Sequence, residues 1–213
     1  MEKSKVLPKV FMWMFIGLLI TFGTGYFIST NSNMLSIAND FYIIFALLQI
    51  GIVFYLASRI TKMSATSAQT WFLIYSFVTG ITFGFIFAAF NLGTIMFVFL
   101  IAAAVFGIFA LFGYFTNMNL SKMGSYLGMG LLAVILCLFL NIFMQNSSFD
   151  LIITIISLII FIGFTAYDIK KIIALEEQGF PEENLAIYGA LELYLDFINL
   201  FLNLLKLIAR NRD

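Results

Sequence analysis

Histidine is absent from this sequence of 213 residues, and cysteine occurs once, as Cys137. A single cysteine cannot form an intramolecular disulfide, and without histidine no Cys/His metal site can be built. A membrane serine protease of the rhomboid type needs a histidine beside its nucleophile, and a membrane zinc protease needs a histidine pair on a helix. Both enzyme classes are excluded, and any bound metal would have to sit on oxygen ligands.

Two further classes are disfavoured by what is missing. A retinal-binding protein needs a lysine in the middle of its last helix, whereas Lys206 stands at the end of the last apolar segment. No glycine-rich phosphate-binding loop is present, and the loops are too short to house a nucleotide-binding domain. We therefore expect no enzymatic activity and no cofactor.

Charge is scarce and balanced. Charged residues make up 10% of the chain and hydrophobic residues 62%, whereas a soluble domain has about 25% charged residues. Between Met63 and Tyr167 the only charged residues are Lys122 and Asp150. With 11 basic and 11 acidic residues in total, nothing indicates a nucleic-acid partner. We predict an integral membrane protein whose main partner is the lipid bilayer.

Seven segments are long enough to cross that bilayer, since about 20 apolar residues span its hydrocarbon core. We predict an all-α membrane protein with one transmembrane domain, residues 1–213. Residues 31–39 and 145–149 are predicted as short polar turns, and 176–183 as an acidic cytoplasmic loop. The seven predicted helices are residues 10–29, 41–58, 71–90, 94–115, 123–143, 151–172 and 185–208.

The distribution of lysine and arginine predicts the orientation, because cytoplasmic loops carry an excess of these residues. Positive charges alternate along the chain and place the N-terminus in the cytoplasm. Seven spans then put the C-terminus outside, with its own cations on the disfavoured side. Alternatively, the last segment crosses only partly and returns. The residues of the alternating set are Lys3, Lys5, Lys9, Arg59, Lys62, Lys122, Lys170 and Lys171, and the cations of the tail are Lys206, Arg210 and Arg212.

The last predicted helix carries a line of polar residues on one face. On a helical wheel they lie within about 80° of one another and extend over about 21 Å. Ionisable groups at such depth face a bundle interior or a water-filled cavity. Glu192 could instead lie at the membrane interface, and the amides could be structural glue between helices. The line consists of Glu192, Asp196, Asn199, Asn203 and Lys206.

The sixth predicted helix has a sparser polar face, formed by Thr154, Ser157, Thr165 and Asp168. Because the last two helices run antiparallel, Asp168 and Asp196 approach each other if both faces point inward. Two carboxylates that meet in a medium of low dielectric constant share a proton. This arrangement would make a pH sensor without histidine.

Two polar residues are candidates at the second predicted helix, Gln49 within it and Arg59 directly after it. Arg59 ends it at the cytoplasmic side, where Asp168 is also expected, so a salt bridge between them and an ordinary positive-inside anchor are both open. The same arginine, or a backbone donor, could instead satisfy Asp196. Gln49 is the one strongly polar side chain inside this helix.

Three runs of sequence resemble the Bax inhibitor-1 family, in particular its bacterial members. They are LELYLDFINLFLNLL (191–205), FTAYDIKKI (164–172) and FGYFTNMNLSKMGSYL (112–127). The resemblance implies a bundle in which six helices surround the seventh, and a pH-dependent calcium leak. It also implies that Asp168 and Asp196 are the aspartate pair and that Arg59 is a latch.

The sequence departs from the family pattern at several positions. Gln49 stands where a glutamate is expected, Asn117 and Asn119 replace a charged pair, and Glu192 is an added acid. We therefore expect the pore to draw its charge from the last helix, and the resemblance does not fix its conductance or ion preference.

These observations predict a pH-sensitive, calcium-permeable leak channel in a bacterial inner membrane. Asp168, Asp196 and Arg59 would gate it, and Ca²⁺ would pass as permeant ion with transient contacts to Asp168, Asp196 and Glu192, since hard cations prefer oxygen ligands. The pore-lining candidates are Glu192, Asn199, Asn203 and Gln49.

Two other functions stay open. One is a regulatory protein that binds a membrane protease or another membrane partner, for example through the loop 176–183. The other is a proton-coupled transporter.

Overall fold

The computed structural model describes residues 4–60 and 62–210, and every regular element within those ranges is a helix. Lys3 and Arg212, which entered the charge distribution, lie outside them. Seven of the helices, all except α2, are long and apolar enough to cross a membrane. The predicted all-α membrane fold with seven spans is confirmed. The helices are α1 Val6–Ser29, α2 Ser32–Asp40, α3 Tyr42–Arg59, α4 Ala65–Ala89, α5 Leu92–Phe115, α6 Met123–Met144, α7 Ser147–Glu177 and α8 Glu182–Arg210.

The segment between the first two spans was predicted as a turn, and this prediction was wrong. Residues 32–40 form the short helix α2, which begins after Asn31. The Asn31 side chain accepts hydrogen bonds from the backbone N–H groups of Asn33 and Met34, at 3.1 and 3.2 Å. Such a cap satisfies donors that the first turn of a helix otherwise leaves unpaired.

Helices α7 and α8 extend well beyond their apolar runs. The Asn146 side chain accepts from the N–H of Phe149 at 2.9 Å and caps the start of α7. Helix α7 then continues to Glu177, and α8 begins at Glu182. The predicted acidic loop 176–183 is therefore too long, because the chain turns within residues 178–181. Gly179 takes a positive φ of 79° there, which a residue without Cβ adopts at little cost.

Helix α8 is one uninterrupted helix of 29 residues. At 1.5 Å per residue it is about 43 Å long, more than enough to cross the hydrocarbon core. The alternative in which the last segment crosses partly and returns is thereby excluded. In its most apolar stretch 72% of residues are buried, against at most 44% for the other six spans. This agrees with the expectation that the last helix is the enclosed one.

The first compact unit comprises Met1–Ile95 and Ile172–Tyr194. Glycines let α1 and α4 approach closely inside it. A Cβ at Gly80 would lie 2.6 Å from the Thr24 Cβ, and one at Gly84 would lie 2.7 Å from the Ile28 Cγ2. The two glycines are thus packing positions, as small residues in membrane helices commonly are.

The second compact unit comprises Met96–Lys171 and Leu195–Asp213. Its apolar core contains Val134 of α6 with Ile153 and Ile160 of α7. The Phe197 ring of α8 lies edge-on to Phe99 and Phe106 of α5, with centroids 5.3 and 5.6 Å apart. Most of α7 and the second half of α8 belong to this unit, and so do both candidate aspartates.

Candidate functional site

Asp168 of α7 and Asp196 of α8 are both buried, with 2% and 4% of their surface exposed. The sequence predicted that both would face inward, and their burial agrees with it. Burial of an isolated ionised carboxylate costs free energy. Buried acids are therefore usually paired, protonated or part of an ion or proton pathway. Two such groups in one compact unit are therefore the first candidates for a functional site.

Lys171, which the sequence analysis used only to predict the orientation, lies beside Asp168. The Nζ atom of Lys171 is 4.0 Å from Asp168 Oδ1, at the i,i+3 spacing of a helix. The same Nζ lies 5.8 Å from the centroid of the Tyr167 ring, a cation–π arrangement. The spacing could have revealed this neighbour, because residues three apart share a helix face.

The polar face predicted for α7 is buried along its length. Thr154, Ser157 and Thr165 are at most 5% exposed. The hydroxyls of Thr154 and Thr165 donate to backbone oxygens of their own helix, at Asp150 and Phe161, over 2.8 and 2.9 Å. These hydroxyl hydrogens are used, so the oxygen lone pairs are what this face presents to a neighbour.

The amides of α8 behave in the same way. Asn199 Nδ2 donates to the Leu195 oxygen and Asn203 Nδ2 to the Asn199 oxygen, each over 2.8 Å. These bonds lie within α8, whereas the glue interpretation expected bonds between helices. A carbonyl only accepts, so the NH₂ group must face it and the amide oxygen must turn away. Asn199 and Asn203 thus present oxygens on a half-buried face, and Glu192 is also half-buried.

An ion pair closes the far end of this polar line. Lys206 Nζ lies 2.6 Å from Asp150 Oδ1, and Arg210 donates to the Ser147 oxygen. The two cations stood against the positive-inside rule in the sequence. Their partners at the start of α7 explain how they are accommodated, and they show that α7 and α8 are antiparallel neighbours here.

The two candidates on α3 lie in the first compact unit. Gln49 donates from Nε2 to the Val78 oxygen and to Thr82 Oγ1, at 3.2 and 2.8 Å. Its amide hydrogens therefore bind α3 to α4. Arg59 is exposed in the last turn of α3, and its role as latch stays a prediction.

Two of the four acids at the turn between α7 and α8, Glu176 and Glu182, are engaged within the protein. Glu176 accepts from the backbone N–H groups of Lys5 and Val6 at 2.8 and 3.2 Å, and from Ser4 Oγ at 2.5 Å. Glu182 forms an ion pair with Lys9 at 2.8 Å. A partner that bound this turn would find Glu176 and Glu182 already occupied.

Glu176 caps the start of α1, where a negative charge also meets the positive end of the helix dipole. We expect Glu176→Ala to lower the free energy of unfolding by about 1–2 kcal/mol, because the N–H groups lose their acceptor. Thermal unfolding in detergent should show a midpoint lower by about 2–8 °C. Glu177→Ala, at the exposed neighbouring position, is the control; an equal decrease in both variants would contradict the capping role.

The sequence did not predict a buried hydrogen-bond chain in the first unit, which consists of two hydroxyls and a backbone oxygen. The Thr21 hydroxyl donates to the Ser76 oxygen at 2.9 Å and lies 2.5 Å from the hydroxyl of Tyr194. Since the single hydrogen of Thr21 is used, Tyr194 is the donor to Thr21. Thr21, Ser76 and Tyr194 are fully buried. No periodic pattern marks them, because they lie on three different helices, α1, α4 and α8.

Metal ligation was considered for Asp168, Asp196 and Glu192. Within residues 4–60 and 62–210, no three acidic, cysteine or histidine side chains come together as a metal-binding group. A tightly held calcium ion usually takes six to eight oxygen ligands, several of them carboxylates. The transient Ca²⁺ contacts expected for Asp168, Asp196 and Glu192 stay a prediction.

Residues 3–213 match the sequence model of a family described as "Inhibitor of apoptosis-promoting Bax1". An uncharacterized protein of Borreliella burgdorferi is 38% identical over 218 residues, covering 99% of this chain and 94% of that protein. The inner membrane protein YbhL of Escherichia coli K12 is 34% identical over 214 residues, covering 97% and 92%. An uncharacterized protein of Deinococcus radiodurans is 31% identical over 210 residues, covering 97% and 90%.

Proposed function

The chain belongs to the Bax inhibitor-1 family, and from that premise we propose that it is a pH-sensitive, calcium-permeable leak channel. The observation that carries the proposal is the burial of Asp168 and Asp196 within one unit, on neighbouring antiparallel helices. Intramembrane acids of this kind belong to ion and proton pathways by default. The similarity to YbhL supports a location in a bacterial inner membrane.

The oxygens along α8 support a cation as the permeant species. Asp196 contributes a carboxylate, and Asn199 and Asn203 present amide oxygens on the same helix face. Hard cations such as Ca²⁺ prefer ligands of this type. Amide oxygens carry no net charge, so they bind an ion weakly enough to release it, as conduction requires.

Protons act on the aspartate pair. When Asp168 and Asp196 share a proton the pair carries one negative charge, and a second proton makes it neutral. Loss of that charge weakens the attraction for neighbouring cations, of which Lys171 is the one 4.0 Å from Asp168. A change of pH thereby changes the net charge of the pair. We expect this change to increase the rate of the leak as the pH falls.

The proposal is tested with purified protein in liposomes that contain a calcium indicator, across pH 5 to 8. We expect Ca²⁺ entry above that of empty liposomes, with a rate that rises toward pH 5. Entry equal to that of empty liposomes at every pH would refute the channel. Proton flux that requires a transported solute would favour a proton-coupled transporter instead.

The predicted latch is tested in the same liposomes with Arg59→Gln. Removal of the guanidinium should raise the leak at pH 8 several-fold, because the closed state loses its cation, and should leave the rate at pH 5 nearly unchanged. Lys62→Gln removes another exposed cation three residues away and serves as control. Equal rates for both variants at pH 8 would show that Arg59 is an ordinary anchor.

The interaction hypothesis is tested separately. Because Glu176 and Glu182 are engaged within the protein, a partner would have to use the exposed Glu177 and Glu183. Co-purification from native membranes should lose that partner in the doubly neutralised variant, Glu177→Gln with Glu183→Gln.

A further inference from the structure

The polar line of α8 ends at an ion pair, and we propose that this pair sets the preference of the pathway between divalent and monovalent cations. The inference rests on the proposed leak function. Asp196, Asn199 and Asn203 pass from buried to half-buried, and Lys206 beyond them is exposed. The line therefore leads from the buried carboxylate toward the exposed C-terminal end of α8.

At that end the ammonium of Lys206 lies against Asp150, an acidic side chain that could attract an incoming cation. Lys206 Nζ is 2.6 Å from Asp150 Oδ1, and Asn141 Nδ2 contacts the same oxygen at 3.4 Å. Lys206 thus acts as a tethered cation that competes with free ions for Asp150. Asn203 lies one helical turn away, about 5 Å along the axis, so an ion at its oxygen is within reach of both charges.

Charge at this mouth discriminates by valence. A divalent ion experiences twice the electrostatic energy that a monovalent ion experiences at the same place. Adding or removing one fixed charge must therefore change the Ca²⁺ rate more than the K⁺ rate. Arg210, which donates to the Ser147 oxygen at the same end, keeps its charge in every variant below.

Four variants separate charge from structure. Lys206→Met leaves Asp150 open, Asp150→Asn leaves Lys206 alone, and the double variant removes both charges. The exchange of Asp150→Lys with Lys206→Asp retains an ion pair of the same net charge. The measured quantity is the ratio of Ca²⁺ to K⁺ leak rates in liposomes at one pH and low ionic strength, where surface charge is least screened.

We expect Lys206→Met to raise the ratio at least about threefold and Asp150→Asn to lower it by a similar factor. The double variant and the exchanged pair should stay near the wild-type ratio. If Lys206→Met fails to fold, the ratios of Asp150→Asn and of the double variant still show whether the Ca²⁺ to K⁺ ratio depends on charge at this position. A wild-type leak with the same ratio in all folded variants overturns this inference alone. If the wild type does not leak at all, the proposed function fails and this inference with it.

Discussion

Neutralising either buried aspartate should abolish the pH dependence of the calcium leak. Asn replaces a titratable carboxyl with an amide of almost the same shape, so Asp168→Asn and Asp196→Asn remove the proton that we propose the pair shares, with little change in packing. A gate that responds to one proton changes its rate by up to about tenfold per pH unit. Each variant should instead show a constant leak between pH 5 and 8.

Asp40→Asn is the matched control, because Asp40 is an exposed carboxylate at the end of α2. It should keep the wild-type pH profile. An unchanged profile in both buried variants would refute the aspartate gate, even if the protein proves to be a channel. A profile lost in only one variant would assign the titration to a single carboxylate rather than to the pair.

Gly113→Ala should destabilise the protein more than an alanine at either of the other glycines of α5, Gly93 and Gly107. A Cβ at Gly113 would lie 2.9 Å from the Ala166 Cα and 3.0 Å from its carbonyl carbon. These are backbone atoms of α7, so no side-chain rotation relieves the clash and the helices must separate. Overpacking of this kind costs about 1–3 kcal/mol.

The same helix offers the control. A Cβ at Gly107 meets nothing within 4 Å, so Gly107→Ala should change the free energy of unfolding by no more than about 1 kcal/mol. Thermal unfolding in detergent should give a midpoint for Gly113→Ala that is lower by about 2–12 °C. Because Ala166 is two residues from Asp168, the pH profile of Gly113→Ala should shift as well. Equal midpoints for the two variants would show that α5 and α7 adjust freely.

The sequence was sufficient to predict the seven spans, because a run of apolar residues of membrane thickness has few other structures available. Their ends were less predictable. Helix α7 extends beyond the predicted segment by four residues at its start and five at its end, polar residues among them, since backbone hydrogen bonds and the Asn146 cap do not require apolar side chains. Helix α2 was missed for the same reason, because a polar segment with an asparagine cap resembles a turn.

Burial of the two aspartates was predictable from helical periodicity. Their neighbours were not, because the register between two helices is fixed by packing across many residues. The pair of Lys206 with Asp150 joins positions 56 residues apart, and neither residue alone indicates the other. The hydrogen bonds that Asn199 and Asn203 form within α8 could not be predicted either, since a helical wheel gives the direction of a side chain but not its hydrogen-bond partner.

The bond between Thr21 and Tyr194 has a consequence for the order of assembly. It joins residues 173 positions apart. The Thr21 hydroxyl in the first helix can therefore accept this hydrogen bond only after the last helix has been synthesised. Contacts this distant in sequence form late. During synthesis the earlier helices therefore lie in the membrane before Tyr194 has bonded to the Thr21 hydroxyl. A chain that ends before α8 would lack the Tyr194 hydroxyl. We expect quality-control proteases to degrade such a truncated chain quickly.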